Sequence, residues 1–379
     1  MDQYFNPVQV FLGTNCIREM SSLLENMKLQ EKTALLLQWN DSVSENEDVK
    51  KIIEENSELT WNVRTFEKSN PETTDLYELY TQTKDLSVGI VIAIGGGSVL
   101  DVAKSLCCLY GENISSEQEL VEGLKEKRYQ NPSCKWIGVP TTAGTGSEVT
   151  CWATIWNPAE NSKLSLECKS NYAYAAYVDS QFAASMPVKL AVSSALDAVA
   201  HATEAYWAKG SNSVSKAFSL RAIRLIMEHI EGLFEEEKAE ESHGYMATGS
   251  VLAGMAFSNT RTTACHSLSY PLTLKYQIPH GIAVSMLLLP VMKVNAKAVE
   301  RMQDLLEAFC VKDMEELETK INCIMQQANI PFTLREWKVE REDLDFLAEH
   351  GGTKGRIDNN PVDLNKEQIV TILESIYEK

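Results

Sequence analysis

Asp197 and His201 stand four residues apart in a helical pattern, so both side chains leave one face of a helix. His266 and His280 are 14 residues apart, the second held between Pro279 and Gly281. One carboxylate and three imidazoles make a mixed N/O donor set suited to a divalent metal such as Fe(II), Zn(II) or Mn(II). Each of these histidines taken singly reads as a packed or surface side chain, and only the set carries the metal reading. His229, His243 and His350 have no such company and read as structural or solvated.

Two loops could meet phosphate. Gly95, Gly96, Gly97 and Ser98 follow an apolar run and open a helix, with Asp101 expected in its first turn. Glycines let the backbone approach a phosphate, and a helix N-terminus offers free N–H groups and partial positive charge. This is not the GxGxxG fingerprint, and a plain strand-to-helix turn competes equally. The second loop, PTTAGTGSE at 140–148, is dense in hydroxyl and backbone donors. Two such loops after strands of one sheet suit a dinucleotide better than a mononucleotide; the competing reading is two polar turns.

The elements that must position these groups alternate in the first half. Strand patterns at 33–37, 60–66, 88–94 and 136–139 are separated by helical patterns at 45–57, 73–83 and 99–109. Such alternation predicts a parallel, doubly wound α/β sheet. After Pro187 the strand signals stop, and helices are expected over 191–209, 213–235, 243–258, 282–294, 298–309, 313–327 and 364–377. The expected organisation is therefore an α/β domain over 1–184 and an all-helical domain over 185–379, with a ligand in the cleft between them.

The chain carries 35 basic against 53 acidic residues, a formal charge of −18. With no long basic run, nucleic acid and anionic membrane are poor partners. No apolar stretch reaches the roughly 20 residues of a membrane span. Residues 1–15 lack a basic stretch followed by an apolar run, so no signal peptide is expected. Nine cysteines without a CxxC pair read as free thiols in a reducing compartment, and the cytoplasm is expected.

Four blocks together resemble the iron-containing (group III) alcohol dehydrogenases: GGGSVLDVAKS at 95–105, PTTAGTGSEVT at 140–150, DAVAHATEAYWA at 197–208 and HSLSYPLTLKYQIPHG at 266–281. Their order and spacing extend the resemblance over essentially the whole chain. It implies the dehydroquinate synthase-like architecture, a dinucleotide-binding α/β domain before a helical metal-binding domain. It also implies that Asp197, His201, His266 and His280 are the metal ligands. The cofactor side would take Gly95 to Ser98, Asp101, Thr141, Thr142, Thr145, Lys163 and Asn70, with Asn40 just after the strand at 33–37. Fe(II) is the first expectation for the metal and Zn(II) the second. At that strand end the sequence reads Gln38-Trp39-Asn40-Asp41, without the acid that marks NAD-specific members, so NAD or NADP is expected. The resemblance further implies a homo-oligomer, a dimer first.

Two departures from the family pattern bear on chemistry. Tyr270 stands where many members carry a histidine assigned to proton transfer. A phenol of pKa about 10 donates a proton but is a poor base at neutral pH, which favours aldehyde reduction. The competing reading is that Tyr270 only shapes the pocket. Arg261 stands where the family usually has a small residue, often glycine, and needs an anionic partner. A structural salt bridge competes with an anionic group on the substrate, for which Thr262 and Thr263 would be further donors. The run RTTACHSLSYPLT is similar to the phosphonoacetaldehyde reductase branch. The function expected is metal-dependent NAD(P)H reduction of phosphonoacetaldehyde to 2-hydroxyethylphosphonate, with Tyr270 and Arg261 as the catalytic pair. A dehydrogenase of uncharged primary alcohols or diols, a dehydroquinate synthase-like lyase and a binding protein without turnover are the alternatives.

Overall fold

Leu35 and Leu37 point to one face of their strand and Ala34 and Leu36 to the other, and all four are buried. A strand covered on both faces belongs in the middle of a doubly wound sheet. That sheet is present in the computed structural model of the protein, which describes residues 2–160 and 162–378. The strands are β1 (Gln9–Leu12), β2 (Thr33–Gln38), β3 (Thr60–Thr65), β4 (Val88–Gly95), β5 (Lys135–Pro140), β6 (Trp152–Asn157), β7 (Ser162–Glu167) and β8 (Ala175–Val178). Six form a sheet in the order β1-β8-β5-β4-β2-β3, parallel throughout. β6 and β7 form a separate antiparallel pair.

The helices of this α/β unit are α1 (Met20–Asn26), α2 (Ser42–Glu45), α3 (Glu47–Glu55), α4 (Thr73–Thr83), α5 (Gly97–Leu109), α6 (Glu117–Lys125) and α7 (Ser180–Ala183). One core cluster joins Leu35, Leu37, Val91 and Ala93 to side chains of α4, α5 and α6. The other joins Ala34, Leu36, Ile90 and Ile92 to side chains of α1 and α3. The strand period of two thus feeds two separate cores. Helices α8 (Val188–Trp207), α9 (Ser213–His229), α10 (Ala239–Thr260), α11 (Ala264–Tyr276), α12 (His280–Asn295), α13 (Met302–Ala308), α14 (Met314–Gln327), α15 (Leu344–His350) and α16 (Lys366–Glu374) follow. By contacts, residues 6–142 and 147–183 form one unit, and 184–378 with 2–5 and 143–146 form the other.

Several expectations are corrected. The helix expected over 45–57 breaks at Asn46, whose extended backbone and side chain cap α3 by accepting from the N–H groups of Asp48 and Val49. The helix expected over 298–309 starts only at Met302, because Arg301 is left-handed (φ 58°). The helix expected over 213–235 ends at His229 and continues as a 3₁₀ turn, Ile230–Phe234. α11 was not expected at all, since Pro271 lies inside it. β1, β6, β7 and β8 were not expected either; β1 and β8 are only four residues long. No helix among the described residues is long and apolar enough to cross a membrane.

Candidate functional site

Pro187 precedes α8, and its fixed backbone angle presets the helix start. The i, i+4 spacing then places Asp197 and His201 together, and both are buried. Alanines along α8 leave room for close neighbours, and the next helices use it. A Cβ on Gly281 would lie 2.5 Å from the Ser193 carbonyl oxygen and 3.2 Å from Asp197 Cβ, so only glycine lets the start of α12 press against α8 here. That close approach positions His280, the first residue of α12.

His266, in the first turn of α11, completes a group of three. Ligand atoms of Asp197, His201 and His266 all lie within 4.8 Å of one another. His266 Nε2 is 3.4 Å from Asp197 Oδ1, and His201 Nδ1 is 3.8 Å from Asp197 Oδ2. His280 stands beside this group rather than in it: its ring centroid is 5.4 Å from that of His266, and its Nδ1 is 3.5 Å from Ser269 Oγ.

The chemistry of the group fits a cation. Asp197 Oδ1, His201 Nδ1 and His266 Nε2 are buried and have no hydrogen-bond partner. Orphaned buried polar atoms are costly, and three of them facing one point make sense around a shared metal ion. Burial first, then His266, push the His201 imidazole down to about 4, so it is neutral and able to ligate. Burial raises the Asp197 carboxyl, but His201, His266 and His280 outweigh it and hold the group ionised.

Glu204, three residues after His201 on α8, is a functional residue of the 197–208 block that sequence reasoning misses. It is wholly buried and fully engaged. It accepts from Thr263 Oγ1 (2.8 Å) and the Cys265 N–H (2.7 Å), and it pairs with His266 Nδ1. Trp207 Nε1 in turn donates to Thr263 Oγ1 (2.8 Å). A proton held on Nδ1 leaves Nε2 as the lone-pair nitrogen, aimed at Asp197. The signal in the sequence is the spacing: 197, 201 and 204 share one helix face.

In the α/β unit, Gly96 caps α5 without a side chain, which leaves its first-turn N–H groups open. A Cβ on Gly95 would meet Val99 at 2.5 Å, and one on Gly96 would lie 3.3 Å from Thr142. The two glycines therefore keep the loop flat beside Thr142. Asn70, left-handed at φ 57°, donates its N–H to Ser98 Oγ (3.1 Å), and Thr141 donates its N–H to the Gly95 carbonyl (3.0 Å). These residues share one edge of the sheet, at the carboxyl ends of β4 and β5, where doubly wound sheets bind ligands.

The other residues expected on the cofactor side have partners of their own within the protein. Asp101 is in the second turn of α5, not the first, because the helix starts at Gly97. Its carboxylate is used inside the unit, accepting from Ser147 Oγ (2.5 Å) and the Thr154 N–H (2.8 Å) and pairing with Lys104 (3.1 Å). Asn40 donates to Glu67 (3.0 Å) and accepts from the Ser42 N–H, so its amide serves the turn after β2. Lys163 extends from β7 over the Trp156 ring, 5.8 Å from its centroid. Thr145 belongs to segment 143–146 of the helical unit, where a Cβ on Gly146 would meet Gly254 Cα at 2.6 Å.

Models of two family domains match: iron-containing alcohol dehydrogenase over residues 7–180, and the Fe-containing alcohol dehydrogenase C-terminal domain over residues 191–377. The chain belongs to the iron-containing alcohol dehydrogenase family. It is accordingly an oxidoreductase acting on a CH–OH group. Alcohol dehydrogenase 4 of Saccharomyces cerevisiae is 28% identical over 99% of this chain and 98% of that relative. The 4-hydroxybutyrate dehydrogenase of Clostridium kluyveri is 31% identical over 76% of this chain and 78% of that relative. Among solved structures, sulfoacetaldehyde reductase from Bifidobacterium kashiwanohense in complex with NAD+ superposes with a TM-score of 0.87 at 25% identity, covering 99% of this chain and 98% of that one.

The two departures from the family pattern are both in the helical unit. Tyr270 is buried, and its ring lies parallel to that of His280 (9°, centroids 5.9 Å apart). Burial pushes its phenol up to about 12, partly offset by Arg356, so it stays protonated at neutral pH. Arg261 ends α10 with φ 63° and ψ 177° and is exposed. That region of backbone space is essentially reserved for glycine.

Proposed function

We propose that the protein is a metal-dependent NAD(P)H reductase of a small anionic aldehyde, with phosphonoacetaldehyde, reduced to 2-hydroxyethylphosphonate, as the best-fitting substrate. The observation that carries this reading is the Arg261 backbone. A bulky residue held at φ 63°, ψ 177° costs of order 1–3 kcal/mol, and such strain persists where the side chain has work to do. The strained residue is a guanidinium five positions ahead of His266, in an acidic chain. Two relatives point the same way, since sulfoacetaldehyde and 4-hydroxybutyrate both carry an anionic group.

Asp197, His201, His266 and His280 would hold the metal, which supplies Lewis-acid polarisation of the carbonyl. The glycine loop at 95–98 with Asn70, Thr141, Thr142, Thr145 and Lys163 would hold the nicotinamide dinucleotide, which supplies the hydride. Glu204 fixes the tautomer of His266. Tyr270 keeps its proton at neutral pH and is a donor rather than a base, so it suits protonation of the oxygen in the reducing direction. Arg261, with Thr262, would orient the anionic end; Thr263, expected as a further donor, is fully buried and gives its hydroxyl proton to Glu204 instead. Nine free cysteines, five of them buried, suit a reducing compartment such as the cytoplasm.

The test is Arg261→Gly, measured on phosphonoacetaldehyde and on uncharged propanal. Losing one partner of a charge-assisted pair should lower the kcat/KM ratio of the first to the second by about 100-fold. An unchanged ratio would return the protein to the dehydrogenases of uncharged alcohols.

A further inference from the structure

The loop between α15 and α16 brings a second guanidinium to the same place. Arg356 is half-buried, with its Cζ 5.3 Å from the centroid of the Tyr270 ring. Tyr270 in turn lies parallel to His280. The preceding residue, Gly355, leads to Arg261: a Cβ built on Gly355 would be 3.4 Å from Arg261 Nη1. The two arginines, 95 positions apart in sequence, thus meet at one loop beside the candidate metal site.

The loop is held in place, not draped. The Thr353 N–H donates to Ser267 Oγ (2.8 Å), and Ser267 Oγ donates to the Gly351 carbonyl, which fastens the loop to α11 one residue from His266. Asn359 Nδ2 donates to the carbonyls of Thr260 (2.9 Å) and Thr262 (3.1 Å), which fastens it on both sides of Arg261. Arg356 forms no ion pair among the described residues. The nearby carboxylate of Asp358 is turned to the Gly355 N–H (2.6 Å) instead. A planar guanidinium supported on an aromatic face, with its N–H edge unmatched by carboxylate, is a ready receptor for an oxyanion.

Resting on the anionic-aldehyde reading above, we propose that Arg356 is a second specificity-determining residue, and that with Arg261 it selects a doubly charged head group. The substrate class is then a phosphonate-bearing aldehyde in preference to a singly charged sulfonate or carboxylate. Arg356 presents N–H donors in fork geometry, and a tetrahedral dianion can accept from such a fork while its second charge meets the nearby positive charge of Arg261.

The experiment compares wild type, Arg356→Met and Arg261→Gly on phosphonoacetaldehyde, sulfoacetaldehyde and propanal. Methionine keeps much of the length and apolar contact over Tyr270 and removes the charge. We expect Arg356→Met to lower the phosphonoacetaldehyde-to-sulfoacetaldehyde ratio of kcat/KM by about tenfold, and the phosphonoacetaldehyde-to-propanal ratio by about 100-fold. Arg356→Lys should recover part of each, since charge returns without the fork. Unchanged ratios in Arg356→Met, alongside a collapsed ratio in Arg261→Gly, overturn this proposal and leave the anionic-aldehyde reading standing. A wild-type enzyme that does not prefer either anionic aldehyde to propanal overturns both. Should Arg356→Met fold poorly, inhibition of wild type and Arg356→Lys by methylphosphonate decides. The lysine variant should bind it about tenfold more weakly, and equal inhibition contradicts the proposal.

Discussion

Glu204 and His266 form a buried pair in which a carboxylate with no solvent exposure grips Nδ1 of the imidazole while also capping the helix that carries it. One side chain of α8 therefore sets both where α11 begins and which nitrogen of His266 is left to bind. Glu204→Gln keeps the volume but offers one acceptor oxygen where two are used. It should weaken metal affinity by about 10–100-fold, as loss of such outer partners commonly does. Competition with a chromophoric chelator for Zn(II) checks this, with circular dichroism to show an intact fold. Unchanged affinity would make Glu204 a helix cap and nothing more.

The flat glycine loop is a second testable feature. A branched side chain at Gly96 would stand against Thr142 and cover the open N–H groups of α5. Gly96→Val should raise the dissociation constant for NADH by about tenfold or more, because the phosphate loses the helix N-terminus. Fluorescence titration of the folded variant measures it. Affinity equal to wild type would put the dinucleotide elsewhere.

Glu148 predicts a pH dependence of stability. It is buried in the α/β unit, and burial pushes its carboxyl up from 4.5 to about 7, against the opposing effects of its backbone hydrogen bond and Lys104. A raised acid pKa means the folded state holds a proton that the unfolded chain releases. Stability is then fullest below pH 4.5, falls as pH rises towards 7, and is level above it. The fall should be about 2–3 kcal/mol between pH 5 and 8 in excess of that in Glu148→Gln. Urea unfolding at the two pH values measures it, and parallel curves for the two proteins would refute it.

Arg261→Gly also carries a stability prediction. Relief of the strained backbone is worth about 1–3 kcal/mol, and the freer unfolded chain of glycine takes back roughly 1. The variant should be more stable by about 1 kcal/mol while its substrate ratio falls. If Arg261 instead anchors a structural salt bridge, the midpoint of thermal unfolding should drop.

The parts of the site that were legible were those set by spacing along one element. Asp197 and His201 come together through the helical repeat, and Gly95–Ser98 joins the end of a buried strand to the start of α5 in the order its pattern implies. What could not be read was placement by tertiary contact. Asp101 reads as a first-turn residue of α5 from the pattern alone, yet the helix starts at Gly97, and Ser147, Thr154 and Lys104 partner its carboxylate. α11 was hidden by Pro271, although it carries both His266 and Tyr270. Arg356 had no local signal, because its neighbours Tyr270 and Gly355–Arg261 are set by loop anchors at Ser267 and Asn359. β1 and β7 are only partly buried, and β6 mixes polar with apolar residues, so none shows the continuous apolar runs that mark β2 and β4.

The central claim, a metal-dependent reductase selective for an anionic aldehyde, is tested most directly by the wild-type enzyme itself. Loaded with Fe(II) or Zn(II), it should oxidise NADH or NADPH with phosphonoacetaldehyde at a kcat/KM about 100-fold or more above that with propanal, since charge pairing contributes roughly 2–4 kcal/mol. The activity should disappear on chelation and return with metal. Equal or better turnover of propanal, or turnover indifferent to chelation, would contradict the account.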